Sequence, residues 1–494
     1  MSDNYVLGID QSTQGTKALL FNKKGILTAR CDLPHKQYVN ESGWVSHDGN
    51  EIYENVLKLV PLVVKKAGID KKEIVCMGIS NQRETSIAWE KASGKPIAPA
   101  IVWQCSRAKD IAEKLEKDGY NLMVREKTGI PLSPYFPASK IAWLINNIEG
   151  ARKKDQEGEL GYGTMDSYLI YRLTNGASYK TDYSNASRTQ LFNLFSLSWD
   201  DVIGKIFGIN IRNLAEVCDS NAEFGTTDFN GYLEDKIPIL GVMGDSHGAL
   251  FGQGCHKEGM VKATYGTGSS IMMNIGDKLI HSRHGLVTSL AWGFNGKVKY
   301  VLEGNLNYTG AVISWLKDSV GLIESVSEVE ELALSANPTD RTYLVPAFSG
   351  LGAPYWKNDA KAIISGMSRT TGRAEIVKAA LDCIAYQITD VIAAMAEDAG
   401  VTISGLRVDG GPTRNKYLMQ LQSDLTGIPV QAPDLEELSG MGAAYCAGIR
   451  YGLYNEKDIF NNINRELFQP SMTLSEKEQK YKGWKEAVSL ITGN

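Results

Sequence analysis

Apolar residues fall in short blocks that break at hydroxyl- and glycine-rich turns, with stretches of helical spacing between them. Tyr5-Val-Leu-Gly-Ile9 predicts a buried strand, Asp10-Gln-Ser-Thr-Gln-Gly15 a small polar turn, and Thr16 to Phe21 a second strand. Asn22-Lys-Lys-Gly25 then turns the chain into Ile26-Leu27. The same strand–turn–strand unit recurs at Met260 to Thr264, Tyr265-Gly-Thr-Gly-Ser-Ser270 and Ile271 to Asn274. Thr13 and Thr267 occupy equivalent places in the two units, an offset of about half the 494-residue chain. That offset predicts two similarly built domains, each presenting one turn to a shared cleft.

A third glycine cluster, Val408-Asp-Gly-Gly411-Pro-Thr-Arg-Asn415, follows an apolar strand and precedes helical spacing from Tyr417. Apolar positions Ile376, Ala380, Ile384 and Ile388 predict a long helix from about Ala374 to Met395, and Glu51 to Lys66 predicts another in the first half. Strands alternating with helices in both halves make each domain α/β. No Ser/Pro/Gly linker separates them, so the boundary is expected in the segment Gly244 to Gly259, giving domains 1–250 and 251–494 that pack and move against each other.

Composition narrows the picture. There are 49 glycines, against roughly 35 at the usual rate of about 7%, but only 15 prolines and 43% apolar residues, so the chain is globular and its glycine surplus is expected locally in turns. The 52 basic and 57 acidic residues leave a net charge of −5 with no dense basic run, so neither nucleic acid nor an anionic membrane surface is expected as a partner. No unbroken apolar stretch approaches the ~18 residues of a bilayer span, and Met1-Ser2-Asp3-Asn4 lacks the blocks of a signal peptide. The seven cysteines are scattered and never form C-x-x-C, as expected for reduced thiols in a cytoplasmic protein. His281 and His284 are expected on a surface loop, with no carboxylate near them in sequence.

Turns of Gly, Ser and Thr offer unobstructed backbone N–H groups and hydroxyls, which suit phosphate oxygens, and Asp10 at the first turn's entry suits Mg²⁺ held through water. Other nucleotide motifs are absent: there is no G-x-x-x-x-G-K-[ST], and neither Gly266-Thr-Gly268 nor Gly440-Met-Gly442 completes G-x-G-x-x-G. Ser80-Asn-Gln-Arg83-Glu84-Thr85 follows apolar Val75 to Ile79 and so lies at a strand end, where α/β folds place ligands. Arg83 and Glu84 read equally as clamps for a hydroxylated substrate or as a surface ion pair. Asp245 ends the apolar strand Ile237 to Met243 and enters a small-residue helix; it reads as the base for an attacking hydroxyl or as a helix N-cap. His247, two residues on, is expected on that helix's surface.

At these residues the chain resembles the FGGY carbohydrate kinases and, within them, the glycerol kinase branch. Tyr135-Phe-Pro-Ala-Ser-Lys140-Ile-Ala-Trp143-Leu-Ile-Asn-Asn147 is similar to the family's first signature, and Ile364-Ser-Gly366-Met367 with Glu375-Ile-Val-Lys-Ala-Ala-Leu-Asp382 to its second. Gly43-Trp-Val-Ser-His47, Asn81-Gln-Arg-Glu-Thr85, Ile101-Val-Trp-Gln-Cys105, Thr181-Asp-Tyr-Ser-Asn-Ala-Ser-Arg188 and Pro346-Ala-Phe-Ser-Gly-Leu-Gly-Ala-Pro-Tyr-Trp356 resemble that branch. The resemblance implies two ribonuclease-H-like domains of the actin/hexokinase type closing over ATP and a small polyol, in a homo-oligomer. It implies Asp245 as catalytic base and Asp10, with Asp245, at the Mg²⁺ site. Thr13, Gln14, Gly15, Lys17, Thr267, Gly310, Ser314, Gly411 and Asn415 fall on the nucleotide side; Arg83, Glu84, Trp103, Tyr135, Asp245, Ser246 and Ser270 fall on the substrate side.

Four positions depart from the branch. Ser246 stands for the usual Gln, Ser270 for a bulky Phe, Lys17 for Arg and Ser314 for Gln. The two substrate-side changes remove volume and add hydroxyls, so the expected substrate is glycerol or a larger polyol or ketose. Phe229-Asn-Gly-Tyr232-Leu-Glu-Asp has neither a histidine nor a Gly/Arg-rich loop, so the phosphohistidine and sugar-bisphosphate control of some family members does not carry over. The rival class is an actin-like filament or chaperone ATPase; a filament would have no use for Arg83, Glu84 and Trp103 beside Asp245.

Overall fold

The computed structural model describes residues 4–493 apart from residue 358; residues 1–3, part of the segment read for a signal peptide, lie outside the described residues. Both predicted strand–turn–strand units are antiparallel hairpins within a sheet. In the first sheet, β1 (Tyr5–Gln11), β2 (Gly15–Phe21) and β3 (Leu27–Pro34) form a meander. On the other side of β1 come β4 (Ile74–Asn81), β5 (Thr226–Thr227) and β6 (Ile237–Gly244), in the order β5-β6-β4-β1-β2-β3, with β4 and β6 parallel to β1.

The second sheet contains β7 (Met260–Tyr265), β8 (Ser269–Asn274), β9 (Val287–Phe294), β10 (Lys297–Leu306), β11 (Gly405–Asp409), β12 (Val430–Pro433) and β13 (Arg465–Phe468), in the order β9-β10-β8-β7-β11-β12-β13. Here β7, β8 and β10 are antiparallel, while β11 and β12 continue in parallel. Three antiparallel strands followed by two parallel ones are thus laid down twice, as the half-length repeat predicts. β1, β4 and β6 are buried along almost their whole length, which is why they read as continuous apolar runs rather than alternations.

The predicted helices form with slightly wider bounds. α1 (Gly49–Ala67) buries Ile52, Val56, Leu59, Val60 and Val63 on one stripe; the Asp48 carboxylate caps it by accepting from the Asn50 N–H at 2.8 Å. α2 (Asp245–Gly252), α3 (Gly310–Trp315), α4 (Arg373–Ala399), α5 (Lys416–Thr426), α6 (Leu438–Tyr451) and α7 (Leu474–Thr492) complete the helices used below. Among the described residues α4 alone is long and apolar enough to cross a bilayer, but 89% of its most apolar window is buried inside the protein. Asp382 and Asp390 interrupt it, so the sequence shows no unbroken apolar run. All seven cysteines are unpaired thiols. His284 is not free of carboxylates: its Nδ1 sits 2.8 Å from Asp398 at the end of α4, a partner 114 residues away that local sequence does not reveal.

α6 belongs to the second half of the chain but lies on the first sheet. Gly8, Gly78 and Gly241 stand in register on three adjacent strands, β1, β4 and β6. A Cβ at Gly78 would sit 2.2 Å from the Ala443 carbonyl oxygen of α6, and one at Gly241 2.4 Å from the same atom. α6 also crosses α2 at backbone contact, since a Cβ at Gly442 would come within 1.9 Å of the Gly248 oxygen. Much of the glycine surplus therefore serves helix-on-sheet and helix-on-helix contact rather than phosphate, and Gly248 of α2 likewise meets Ser439 of α6. Around this crossing an apolar cluster joins Val6, Phe21 and Met243 of the first sheet to Met272, Trp292 and Val301 of the second.

Gly442→Ala should lower the unfolding free energy by about 1–3 kcal/mol in urea titration, because backbone on both sides of the added methyl must move. Gly405→Ala, whose Cβ meets nothing within 4 Å, should stay within about 0.5 kcal/mol of the parent. Equal losses would show that the α2–α6 crossing is not held at backbone contact.

Candidate active site

Three neighbouring strand ends bring the first half's polar groups together. Asp10 on β1 pairs in register with Ser80 on β4, and Gly244 at the end of β6 pairs with Asn81. The Gln82–Thr85 loop and Asp245 therefore leave the sheet side by side. A small sheet brings Trp103 to the same place, because Ser86 at the start of one of its strands pairs with Ile101 of another. From the second half come the β7–β8 turn and the end of β10, tied to α3 by Gly310 N–H to the Gly266 oxygen (2.9 Å) and Ala311 N–H to the Thr267 oxygen (3.0 Å).

Between them lies a cleft of about 570 Å³ lined by Thr13, Arg83, Glu84, Trp103, Tyr135 and Asp245 on one side and Thr264, Thr267–Ser270, Asn305–Tyr308 and Ala311 on the other. A second cavity of about 550 Å³ is lined by Gly310, Ser314, Gly411 and Asn415, with apolar Ile313, Val329, Leu381, Ile384 and Leu418. Neighbouring residues at the start of α3 line both, Ala311 the first and Gly310 the second. Five sequence-predicted residues line neither, Asp10 among them. Gln14 is exposed, Gly15 is filled against β3 (its Cβ would meet the Leu33 oxygen at 2.6 Å), Lys17 pairs with Glu437 at 2.7 Å and Asp10 at 3.7 Å, and Ser246 donates its backbone N–H to Asp245 Oδ1 at 2.6 Å.

Arg83 and Glu84 are not a surface pair: they are 6% and 2% exposed, and each pairs elsewhere. Glu84 Oε1 accepts from Arg188 Nε at 2.6 Å; Arg188 Nη1 lies 2.9 Å from Glu303 Oε2; Glu303 takes Arg83 in a two-pronged pair at 2.8 and 2.9 Å; Arg83 Nε lies 3.1 Å from Asp245 Oδ1. Charges alternate along this buried chain, which lets ions survive away from water. Burial pushes the Glu303 carboxyl up, but the Arg188 and Arg83 guanidiniums overcome it and hold it well below the usual carboxylate range. Glu84 adopts a left-handed backbone, φ +59°, which is strained for a residue with a Cβ and is held by the ion pair and by Thr85 N–H to the Arg83 oxygen at 2.7 Å. Gly244 makes room for the Arg83 stem; a Cβ there would meet Arg83 Cγ at 2.7 Å.

Asp245 is the first residue of α2, and the cap position falls to Gly244, which offers no side chain. The carboxylate is therefore released from the capping role and, 37% exposed, faces the cleft. His247 is fully buried rather than on the helix surface; burial pushes its pKa well down, so the ring is neutral, with Nε2 3.4 Å from Ser289 Oγ. The Trp103 indole donates to Thr13 Oγ1 at 3.0 Å and meets Tyr135 edge-on at 5.7 Å. Lys140, also buried, donates to the Tyr135 carbonyl, and burial brings its pKa down to about 7.

Asp10 is buried, its Oδ1 has no hydrogen-bond partner, and burial raises its pKa to about 6 against the pull of Lys17. A buried carboxylate oxygen left without a donor fits a cation. Among the described residues no cluster of three His, Cys, Asp or Glu side chains could cage a metal, so a hard ion here would keep water and take its remaining oxygens from phosphate, as Mg²⁺ prefers. Sequence reasoning missed Glu303, Arg188, Lys140 and Lys262. Glu303 and Lys262 carried a usable signal, since each is a charge inside an apolar strand; Lys262 is buried with no hydrogen bond to its Nζ.

Comparison with known proteins places these features in a family. Residues 5–252 match the model for the N-terminal domain of the FGGY family of carbohydrate kinases, and residues 261–451 match that for its C-terminal domain. The chain is 46% identical over 489 residues to "Glycerol kinase 1" of Thermotoga maritima, covering 99% of both, and 43% identical over 488 residues to the glycerol kinase of Geobacillus sp. (strain WCH70), covering 98% of both. The crystal structure of Plasmodium falciparum glycerol kinase with ADP superposes with a TM-score of 0.94 at 35% identity, covering 99% of this chain and 98% of that one.

Glu303→Gln keeps the shape of the side chain but leaves two buried guanidiniums without their shared counter-charge. It should cost about 3–5 kcal/mol of unfolding free energy in urea titration. A loss under 1 kcal/mol would show that water, not Glu303, compensates them.

Proposed function

The chain belongs to the FGGY family of carbohydrate kinases, and from that footing we propose that it transfers the terminal phosphoryl group of ATP to a terminal hydroxyl of glycerol, giving glycerol 3-phosphate and ADP. The observation that carries this reading is a pair of cavities lined by neighbouring residues of α3: a cleft holding the Asp245 carboxylate, lined by Ala311, and a largely apolar cavity of nucleotide size, lined by Gly310. The filament and chaperone readings lack any use for the clamped Arg83–Glu84 pair in that cleft.

In this reading the glycerol hydroxyls not undergoing reaction bond to Arg83 and Glu84, whose positions Glu303 and Arg188 fix before substrate arrives. Trp103 and Tyr135 cover the carbon chain. The reacting hydroxyl lies against Asp245, which takes its proton as the oxygen attacks the γ-phosphorus; the new O–P bond forms as the bond to the β-phosphate oxygen breaks and ADP departs. Arg83, 3.1 Å away, keeps Asp245 aimed. Backbone N–H groups and hydroxyls of the turn at Thr13 and of Thr267–Gly268 meet the phosphates from both halves, and the nucleoside occupies the cavity beside Ser314, Gly411 and Asn415. Mg²⁺, when bound, would neutralise phosphate charge from a position beside Asp10. Closure of the two halves would exclude water that otherwise accepts the phosphoryl group.

Glycerol-dependent ADP release in a coupled assay is the direct test. Asp245→Asn should lower kcat about 10²–10⁴-fold, while calorimetry should give an ATP affinity within a few fold of the parent. Turnover at a near-parental rate would remove Asp245 from the role of base.

A further inference from the structure

We infer that the site, beyond glycerol, takes acyclic polyhydroxy chains of four and five carbons, and that their outer hydroxyls are read by a row of three side chains on the second sheet, Thr264, Ser270 and Asn305. The inference rests on the kinase reading above and extends it to the length of the acceptor.

The row is fixed by strand register. Thr264 on β7 pairs with Ser270 on β8, and Ser270 pairs with Asn305 on β10. Residues directly opposite one another across a sheet share a face, so the three side chains form one line across three strands. All three line the 570 Å³ cleft, on the wall across from Trp103 and Tyr135. Their bonding capacity is almost unused within the protein. Among the described residues neither the Thr264 hydroxyl nor the Asn305 amide makes a hydrogen bond, and Ser270 Oγ makes only a long one, 3.4 Å, to Glu303 Oε1. An amide has two donors and an acceptor and each hydroxyl a donor and acceptors, so the line presents a dense set of unclaimed partners.

Glycerol leaves them unclaimed. It has three hydroxyls: one reacts at Asp245, and Arg83 and Glu84 on the opposite wall suffice for the other two. A fourth or fifth hydroxyl, carried further along the chain, has Asp245, Arg83 and Glu84 already occupied and meets the row instead. Ser270 is short enough to leave that path open. Sites that supply hydrogen-bond partners for a hydroxyl discriminate strongly against a ligand lacking it, which makes this row a length reader rather than inert lining. Ser246, the other small residue at a substrate-side position, is outside the lining and has no part in it.

The test is coupled ADP release with ATP and Mg²⁺ across glycerol, erythritol, threitol, the pentitols, xylulose and ribulose, for the parent and for Asn305→Ala and Thr264→Val. At least one four- or five-carbon substrate should show a kcat/KM above that of glycerol. Each substitution should move the ratio of that kcat/KM to glycerol's by about tenfold toward glycerol, the scale of one lost hydrogen bond. The parent's own panel needs no variant to fold. Phosphorylation of glycerol with none of the longer chains overturns the inference and leaves the kinase reading standing, as does an unchanged ratio in both variants. No phosphorylation of any compound overturns the kinase reading itself, and the inference with it.

Discussion

Two guanidiniums, Arg83 and Arg188, are withdrawn from water inside the first half of the chain, and the carboxylate that compensates both of them, Glu303, is supplied by the second half. Buried ions are tolerated only when paired with good geometry. The docking of the two halves and the completion of the Arg83–Glu84 arrangement proposed to hold substrate are therefore one event. Glu84 holds a strained backbone at one end of the chain of charges and Asp245 faces the cleft at the other. The only member with substantial access to solvent is the one proposed to handle a proton.

The second fixed point is steric. A row of glycines across β1, β4 and β6 admits α6 at backbone distance, and the glycines of α2 and α6 let those helices cross in contact. Because α2 begins with Asp245, the same crossing sets the depth at which that carboxylate leaves the sheet. Packing this close has two discrete outcomes, contact or separation, and few intermediate ones. The chemistry at the strand ends thus rests on a scaffold with little slack behind it.

Local pattern made much of this legible. The paired hairpins, the strand ends bearing Asp10 and Arg83, the long helix through Ile384 and the half-length repeat are all written in short-range spacing, and each appears within a few residues of its predicted bounds. Partners distant in sequence were not legible. Glu303 meets Arg83 across 220 positions and Glu84 meets Arg188 across 104, so Arg83 and Glu84 read equally well as an exposed pair. His247 read as a surface residue because nothing local shows that the second sheet covers α2. The glycines misled in a specific way: phosphate, a ligand carbonyl and a neighbouring helix all ask for the same missing Cβ, and only the fold says which of them is there.

The glycine row has a consequence for the order in which the protein is made. Synthesis proceeds from the N-terminus at about 5–20 residues per second, and the strands carrying Gly8, Gly78 and Gly241 are complete about 200 residues before α6 leaves the ribosome. For roughly 10–40 s at that pace the nascent first sheet has a bare glycine face, and for about the first 3–12 s of it two arginines await Glu303, a carboxylate not yet translated. The N-terminal half is thus a partial body at birth, and its maturation is timed by the elongation of the C-terminal half.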